Sequence, residues 1–416
     1  MPRILLLLPA AGYRNEDFLA AAFEMGMDVV SAADHCHQLA PLMGMSPILS
    51  LPFDKPELAA EQALVSLGRQ IDVVLAVDDH GLELAALLNE KLGLPGNSFA
   101  AVRTTRDKLA FRQLQKSYGF NCPRFHAALN EADALALAPS LPYPVVVKAR
   151  RLSASRGVIR ANDADAYVQA MARVRRIQAV ADRDAEELGI IVESFIPGRE
   201  HALEGLLQKG LLRVMALFDK PDPLDGPYFE ETIYVTPSRL PADTQAGIAA
   251  DVQRACSLAG LTHGPVHAEM RVNDQGVWLL EVAARSIGGL CARVLRNRLG
   301  MPLEEMILRN ALDMPLPISP DNRASGVMMI PIPEQGIFQG VTGVAEARAV
   351  DGISDIRITA QPGQIVAPPP EGSGYLGFIF AHALTPEAAE VALRAAHVML
   401  GFDIRPEVPI ARAQAQ

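Results

Sequence analysis

The sequence predicts a mixed α/β and α+β protein of two or three domains, and three observations support this. The first hundred residues alternate short apolar runs with helical patterns, which is typical of βαβ units around a parallel sheet. Later segments contain strands joined by short turns, which indicates antiparallel sheet. The chain has 416 residues, and at about 100 to 200 residues per domain this length allows two or three domains.

Composition and charge limit the kinds of partner. The chain has 38 Lys and Arg against 48 Asp and Glu, so the net charge is 38 − 48 = −10, and 50% of its residues are hydrophobic. The apolar content excludes disorder as the main state. Because the net charge is negative, we expect neither nucleic acid nor a membrane as a partner, and an anionic ligand needs local basic groups.

Cysteine spacing and hydropathy favour a cytoplasmic location. The four cysteines lie far apart and form neither a CxxC pair nor a zinc-like spacing, which favours reduced thiols. The apolar run at residues 4–8 suits a buried strand better than a signal peptide. No run reaches the roughly 18 to 20 apolar residues of a membrane span.

The first domain, residues 1–103, is predicted to be a parallel α/β domain. Its apolar runs predict strands at 4–8, 28–32 and 73–77, with helices at 17–25 and 82–92. The first strand runs into Pro9-Ala10-Ala11-Gly12 rather than GxGxxG, and the chain contains no Gly-Lys dipeptide for a P-loop. A nucleotide site would therefore use neither of these two motifs.

The second domain, residues 104–317, begins where a helix is expected to start at Thr104 or Thr105. The next features are an amphipathic helix at 109–118, a strand ending on Lys148, a small polar loop at 153–157 and a basic helix at 164–181. Strands follow at 189–193 and 202–207. The Pro/Asp/Gly-rich stretch at 219–227 predicts a long loop, and long loops in compact domains are often functional.

Two glutamates lie in a predicted hairpin with strands at 266–272 and 277–282. Glu269 and Glu281 each interrupt an apolar strand, where an unpaired carboxylate costs several kcal/mol. On paired strands the two carboxylates lie side by side, an arrangement that suits Mg²⁺. Arg285 leads into Ser286-Ile287-Gly288-Gly289 and is placed to hold an anion beside the metal.

The third domain, residues 318–416, follows a proline cluster at Pro315, Pro317 and Pro320. Its strand-rich pattern with Gly and Pro punctuation ends in a predicted helix at 386–400. We therefore expect a small α+β domain.

Each of these features also has a plain structural interpretation. Taken singly, the glutamates could form salt bridges at a sheet edge and Lys148 could face solvent. The polar loop, taken singly, could be an ordinary turn. The order of the features favours function: a lysine on a helix, a lysine on a strand, a Ser/Gly loop, two glutamates seven residues apart, and a carboxylate hairpin followed by an arginine.

This order resembles the ATP-grasp superfamily over nearly the whole chain. The resemblance implies an N-terminal pre-ATP-grasp domain at 1–103, a two-lobed ATP-binding domain at 104–317 with a mobile lid at about 125–195, and a C-terminal domain at 318–416. It implies ATP and Mg²⁺, with two ions expected on Glu269 and Glu281 and Mn²⁺ as an alternative ion.

The resemblance also implies roles in ATP binding. Two lysines hold the α- and β-phosphates, the polar loop closes over the γ-phosphate, a hinge at 193–196 binds adenine, and a glutamate grips the ribose hydroxyls. The residues implied are Lys108, Lys148, Ser153, Ser155, Gly157, Glu193, Ser194, Phe195, Ile196 and Glu200.

Within the superfamily, the sequence looks like the carboxylate–amine ligases of the L-amino-acid ligase (dipeptide synthase) type. The similar segments are 281–285 with Gly288 and Gly289, 326–331 and 374–378. This implies amide-bond formation between a small carboxylate and an amine through an acyl phosphate, with an amino-acid substrate and release of ADP and phosphate. Arg285, Arg156 and Lys148 would act on the transferring phosphate, and Arg285, Gly288 and Gly289 would bind substrate.

One departure keeps alternatives open. Many ATP-grasp enzymes have Asn two residues after the second metal glutamate, whereas this chain has Ala283. The alternatives are carboxylation or formyl transfer on a nucleotide-precursor amine, and a nucleotide-binding scaffold without turnover. A homodimer is compatible with each of these functions.

Overall fold

A computed structural model describes residues 1–9, 12–34, 48–67, 70–181 and 188–407. Among these residues no helix has both the length and the apolar character needed to cross a membrane. The described strands form four sheets.

The N-terminal sheet is parallel, as the sequence predicts, with strand order β3–β2–β1–β4. Alternate residues of β1 enter different cores: Leu5 and Leu7 pack into one cluster, and Ile4 and Leu6 into another. The sheet is therefore covered on both faces, as expected for parallel strands. Its elements are β1 (Arg3–Leu8), α1 (Asn15–Glu24), β2 (Asp28–Ala33), β3 (Leu49–Ser50), α2 (Pro56–Leu67), β4 (Val73–Ala76) and α3 (Leu82–Leu92).

Two helices then precede the segment predicted as a lid, α4 (Phe99–Arg106) and α5 (Lys108–Ser117). The prediction that a helix begins at Thr104 or Thr105 was wrong, because both residues lie in the last turns of α4. The break comes at Asp107, which has an extended backbone and accepts a hydrogen bond from the Leu109 amide, so it caps α5. Lys108 is thereby fixed as the first residue of α5.

The segment predicted as a lid forms an antiparallel sheet with a hydrophobic core of its own. The strand order is β5–β8–β6–β7, and a helix of 18 residues packs on the sheet. The elements are β5 (Phe125–Ala128), α6 (Glu131–Leu137), β6 (Val145–Ala149), β7 (Val158–Ala161), α7 (Ala164–Ala181) and β8 (Ile190–Ser194).

The largest sheet has eight strands in the order β13–β12–β9–β10–β11–β14–β18–β16. Because β11 pairs with β14, this sheet runs through the predicted boundary at 317/318. Its elements up to that position are β9 (Arg199–Gln208), β10 (Leu211–Asp219), β11 (Ile233–Thr236), α8 (Ala242–Ala259), β12 (Gly264–Asn273), β13 (Gly276–Ala283), α9 (Arg293–Leu299) and α10 (Leu303–Ala311).

The C-terminal segment adds three strands to this sheet and builds a smaller sheet with the order β17–β15–β19. The predicted final helix is present as α12. The elements are β14 (Ala324–Ile330), β15 (Gly336–Thr342), α11 (Val344–Arg348), β16 (Ile353–Ile358), β17 (Ile365–Val366), β18 (Gly377–Ala383), α12 (Pro386–Val398) and β19 (Gly401–Arg405).

Candidate active site

A cleft of about 770 Å³ is lined by residues from the N-terminal sheet, the lid, the large sheet and the C-terminal segment. All but one of the residues that the sequence singles out line it. They are Lys108, Lys148, Ser153, Ser155, Arg156, Glu193, Ser194, Phe195, Ile196, Glu200, Glu269, Glu281, Arg285, Gly288 and Gly289.

Gly157 is the exception, because it does not line the cleft. Its amide donates to the Pro370 carbonyl at 3.2 Å, and the Arg156 amide donates to Ser153 O within the loop. The loop turns sharply because Ala154 and Ser155 both have φ of 55°, in the left-handed region. Among its amides, those of Ser153, Ala154 and Ser155 remain as candidates to meet a phosphate.

Lys148 is tied to the predicted hinge. Its Nζ lies 2.7 Å from Glu193 Oε2, and the fully buried Arg112 pairs with Glu193 Oε1 at 2.7 Å. Burial opposes ionisation of Glu193, but the charges of Arg112 and Lys148 outweigh it and hold its pKa at about 2. The Glu193 carboxylate therefore joins α5, β6 and β8 where lid and hinge meet.

Lys108 contacts both the polar loop and the carboxylate hairpin. Its Nζ donates to the Leu152 carbonyl at 2.6 Å and lies 3.9 Å from Glu281 Oε2. The start of α5 thus places an ammonium group between the polar loop and the carboxylate hairpin.

The hairpin prediction is confirmed in its register. Glu269 lies directly opposite Glu281 on β12 and β13, so both side chains share one face. His267 lies opposite Ala283, the position where many ATP-grasp enzymes have Asn. Residue 283 therefore offers no side-chain oxygen to a metal.

Lys220 binds three carboxylates in the cleft. Its side chain is only 2% exposed, and its Nζ lies 2.8 Å from Glu200, 2.5 Å from Glu231 and 3.2 Å from Glu269. These glutamates can bring one oxygen each to within 4.8 Å of one another. Burial opposes the charge of Lys220, but the three carboxylates raise its pKa, so it is a fixed cation.

Glu200 has a second partner, because Arg271 Nε lies 3.3 Å from its other oxygen. Its predicted contact with the ribose hydroxyls stays a prediction. Arg271 also donates to the Ile196 carbonyl at 2.9 Å and thereby fixes the end of the hinge.

The carboxylates of the cluster differ in their proton affinity. Burial raises the pKa of Glu231 to about 7, although Lys220 lowers it. Burial also opposes the charge of Glu269, but Lys220 and His267 lower its pKa well below the usual range. Glu269 is therefore ionised at neutral pH, as a metal ligand must be.

Arg285 is held by Asp79, which follows β4 of the N-terminal sheet. Its Nε donates to Asp79 Oδ2 at 2.8 Å, and its Nη1 donates to the Ser286 carbonyl at 3.0 Å. Burial opposes its charge, but Asp79, Glu281 and Glu269 raise the pKa of Arg285, so it stays cationic beside the hairpin. Burial likewise opposes ionisation of Asp79, whose pKa is lowered by Arg285 and Arg106.

Sequence reasoning missed several groups that organise this cleft: Asp79, Arg112, Lys220 and Glu231. Asp79 follows the end of β4, the edge where functional groups gather in parallel α/β sheets. Lys220 lies at the start of the long loop predicted at 219–227, and Glu231 follows four residues after its end. The role of Arg112 could not be predicted, because nothing in the sequence distinguishes it from the other charged residues of an amphipathic helix.

The cleft can accommodate magnesium. Two carboxylates, Glu269 and Glu281, share one strand face, and Mg²⁺ binds few carboxylates and completes its shell with water and phosphate oxygens. Lys108, Lys148 and Arg285 gather positive charge around the same space, which suits a polyphosphate.

Two family models match parts of this chain. A model of the ATP-grasp domain matches residues 141–294. The chain therefore contains an ATP-grasp domain. A second model, L-amino acid ligase C-terminal domain 2, matches residues 328–405 of this ATP-grasp protein. ATP-grasp enzymes in general use ATP and Mg²⁺.

Three individual proteins illustrate the similarity. L-amino acid ligase from Bacillus licheniformis superposes with a TM-score of 0.81 at 26% identity, covering 97% of this chain and 99% of that one. Carnosine synthase 1 of Gallus gallus is 30% identical over 78% of this chain and 37% of its own length. D-alanine–D-alanine ligase of Ectopseudomonas mendocina is 29% identical over 47% of this chain and 61% of its own length. The ATP-grasp chain thus spans about a third of the carnosine synthases that it matches.

Proposed function

We propose that this ATP-grasp chain is an ATP-dependent carboxylate–amine ligase that forms an amide or peptide bond with an amino-acid substrate. The observation that carries the proposal is the convergence of Lys108, Lys148, the Glu269–Glu281 pair and Arg285 on one cleft. The L-amino acid ligase C-terminal domain and the names of the relatives favour this reaction over carboxylation, formyl transfer or a scaffold without turnover.

A carboxylate does not react with amines until it is activated. In the proposed reaction its oxygen attacks the γ-phosphorus of ATP, the bond to the β-phosphate oxygen breaks, and ADP and an acyl phosphate form. The amine nitrogen then attacks the acyl carbon, loses a proton, and phosphate leaves with the bonding electron pair. Phosphoryl transfer asks the protein mainly for positioning and charge neutralisation.

The residues of this chain would divide those tasks. Lys108 and Lys148 would hold the phosphates, the amides of Ser153–Ser155 would cover the γ-phosphate, and Arg156 would face it from the same loop. Arg285 would stabilise the negative charge on the attacked carboxyl group.

Glu269 and Glu281 would hold magnesium, which neutralises phosphate charge when bound. We propose two ions, with Mn²⁺ as an alternative. A cytoplasmic location and a homodimer remain predictions of the same proposal.

The long loop at 219–232 would bound the acceptor pocket. Phe229, Tyr234, Met329 and Tyr375 line the cleft on this side together with Glu231. A pocket with apolar walls and a half-buried carboxylate, Glu231, suits an amine that carries an apolar side chain.

The test is ADP release from Mg-ATP with pairs of amino acids and small acids, with mass spectrometry of the products. We expect ADP only when both a carboxylate and an amine are present, together with a product lighter than the two substrates by one water. AMP and pyrophosphate as products would contradict the ligase proposal. Dependence on bicarbonate or formate, without activity on amino-acid pairs, would favour the carboxylase or formyltransferase alternative.

A further inference from the structure

A buried arginine of the N-terminal domain reaches the loop that follows Arg285. Arg14 lies just before α1 and is 4% exposed. Its Nε and Nη2 donate to Glu304 Oε1 on α10, at 3.0 and 2.5 Å. Its Nη1 donates to the Ser286 hydroxyl and, at 3.0 Å, to the Ile287 carbonyl. One guanidinium therefore joins two domains and also grips the loop.

The same loop is held from the opposite side. The Ile287 amide donates to Glu204 Oε2 at 3.0 Å, and that carboxylate also bonds His267 Nδ1 at 3.1 Å. The other nitrogen of His267 lies 3.3 Å from Glu269. The carbonyl and the amide of Ile287 are thus fixed by Arg14 and Glu204, within the network that reaches the carboxylate hairpin.

The loop itself has little freedom to adjust. Gly289 has φ of +59°, and a Cβ there would lie 2.8 Å from the Phe378 ring, so the backbone packs directly against β18. The Arg14 guanidinium also lies over the buried Phe18 ring, 5.0 Å from its centroid. A small shift of Arg14 would therefore be passed to residues 286–289.

A purely structural ion pair would not need the contacts to the loop. Glu304 alone satisfies the charge of Arg14, yet the remaining donors point at Ser286 and Ile287. Arginine suits this task because its planar fork holds several acceptors at fixed angles, which lysine cannot do.

We propose that Arg14 is a positioning residue for the loop 285–289, acting through Ser286 and Ile287 to hold Arg285, Gly288 and Gly289 in the geometry needed for acyl transfer. The inference rests on the proposed ligase function. It assigns to the N-terminal domain a direct part in aligning the reaction site.

The test compares Arg14→Lys with Arg293→Lys. Arg293 pairs with Asp17 at 2.8 Å, and its side-chain hydrogen bonds go to Asp17 and not to the loop 285–289, so it is a matched control. Turnover is measured as ADP release from Mg-ATP with a mixture of the protein amino acids and β-alanine. Because misplacement by about 1 Å costs on the order of 100-fold in rate, we expect kcat of Arg14→Lys to fall about 10- to 100-fold. The KM for Mg-ATP and the melting temperature should stay near wild type, and Arg293→Lys should change neither kcat nor KM.

The double variant Arg14→Met with Glu304→Leu covers the case in which the single variant folds poorly. Removing a buried ion pair as a unit is often neutral for stability. We expect this variant to fold, to lose turnover, and to show faster hydrogen exchange in residues 285–292 but not in 264–283. Wild-type kcat in a folded Arg14 variant, or unchanged exchange of the loop, would overturn the proposal.

The exchange measurement uses the protein without substrates, so it separates this inference from the proposed function. If the wild type releases no ADP with any pair, the ligase proposal fails, and the exchange of residues 285–292 still decides whether Arg14 holds the loop.

Discussion

Glu281 offers a direct test of metal binding at the scale of one residue. Glutamine keeps the size of the side chain but weakens it as a ligand for Mg²⁺, which prefers charged oxygen donors. We expect Glu281→Gln to lower Mg²⁺-dependent ADP release by at least about 100-fold and to leave the melting temperature near wild type.

Asp274→Asn is the matched control for this prediction. Asp274 is an exposed carboxylate in the turn of the same hairpin and does not line the cleft. Its variant should keep wild-type turnover. Wild-type activity in Glu281→Gln would remove the metal assignment.

Asp79 gives a second prediction at this scale, because it holds Arg285 through a charge-assisted bond of 2.8 Å. Asparagine keeps the shape but loses the charge, so the guanidinium is no longer fixed. We expect Asp79→Asn to lower kcat about 10- to 100-fold, measured by ADP release. Asp78→Asn, which removes the neighbouring carboxylate paired with His80 rather than with arginine, should change kcat less than about twofold. Equal losses in the two variants would contradict this role.

At the scale of elements, the buried ion pairs that connect α5, β6 and β8 all depend on Glu193. Removing one partner of a buried ion pair leaves uncompensated charge and costs about 3–5 kcal/mol. We expect Glu193→Gln to lower the free energy of unfolding at neutral pH by about this amount, measured with urea. Glu334→Gln changes an exposed glutamate and should leave the free energy of unfolding near wild type.

The same ion pairs predict that the free energy of unfolding depends on pH. The pKa of Glu193 is about 2 in the folded protein, against 4.5 ordinarily. Its contribution to stability is therefore complete above about pH 4.5 and is lost as the pH falls towards 2. The difference in unfolding free energy between wild type and Glu193→Gln should shrink over that range. If this difference in unfolding free energy stayed constant down to about pH 2.5, the ionised Glu193 carboxylate would not be its source.

The elements themselves were predicted unevenly. Helix α3 and the hairpin of β12 and β13 follow from sequence pattern, because periodicity and a tight turn are local properties. The helix start was predicted at Thr104 or Thr105, whereas α4 ends at Arg106 and α5 begins at Lys108. The boundary was missed because only the extended backbone of the capping residue Asp107 marks it.

At the scale of the whole molecule, the lid contacts two other parts of the chain. Arg173 on α7 forms a two-bond ion pair with Glu371, at 2.6 and 2.7 Å, and also donates to the Tyr228 hydroxyl. Arg160 on β7 donates through its backbone to the Pro227 carbonyl. The lid is thus connected to the C-terminal segment and to the long loop of the acceptor side.

We expect Glu371→Gln to raise the KM for Mg-ATP by at most about 5-fold, since exposed ion pairs contribute about 0.2–1 kcal/mol. The effect should shrink at high salt because the pair is exposed and therefore screened. The Lys209–Asp313 pair is also exposed and lies outside the lid, so Lys209→Met should leave the KM unchanged. An increase in KM that is insensitive to salt would contradict an electrostatic contact.

The sequence by itself determined the class of fold, the parallel and antiparallel sheets, and the order of lysines, glutamates and arginine that resembles the ATP-grasp superfamily. These properties lie in local periodicity and in the spacing of residues along the chain. The tertiary structure decided which charges meet. Four pairs are joined only by packing, because the partners lie on separate elements and no local pattern records a long-range contact. They are Arg112 with Glu193, Lys220 with Glu269, Asp79 with Arg285 and Arg14 with Ile287.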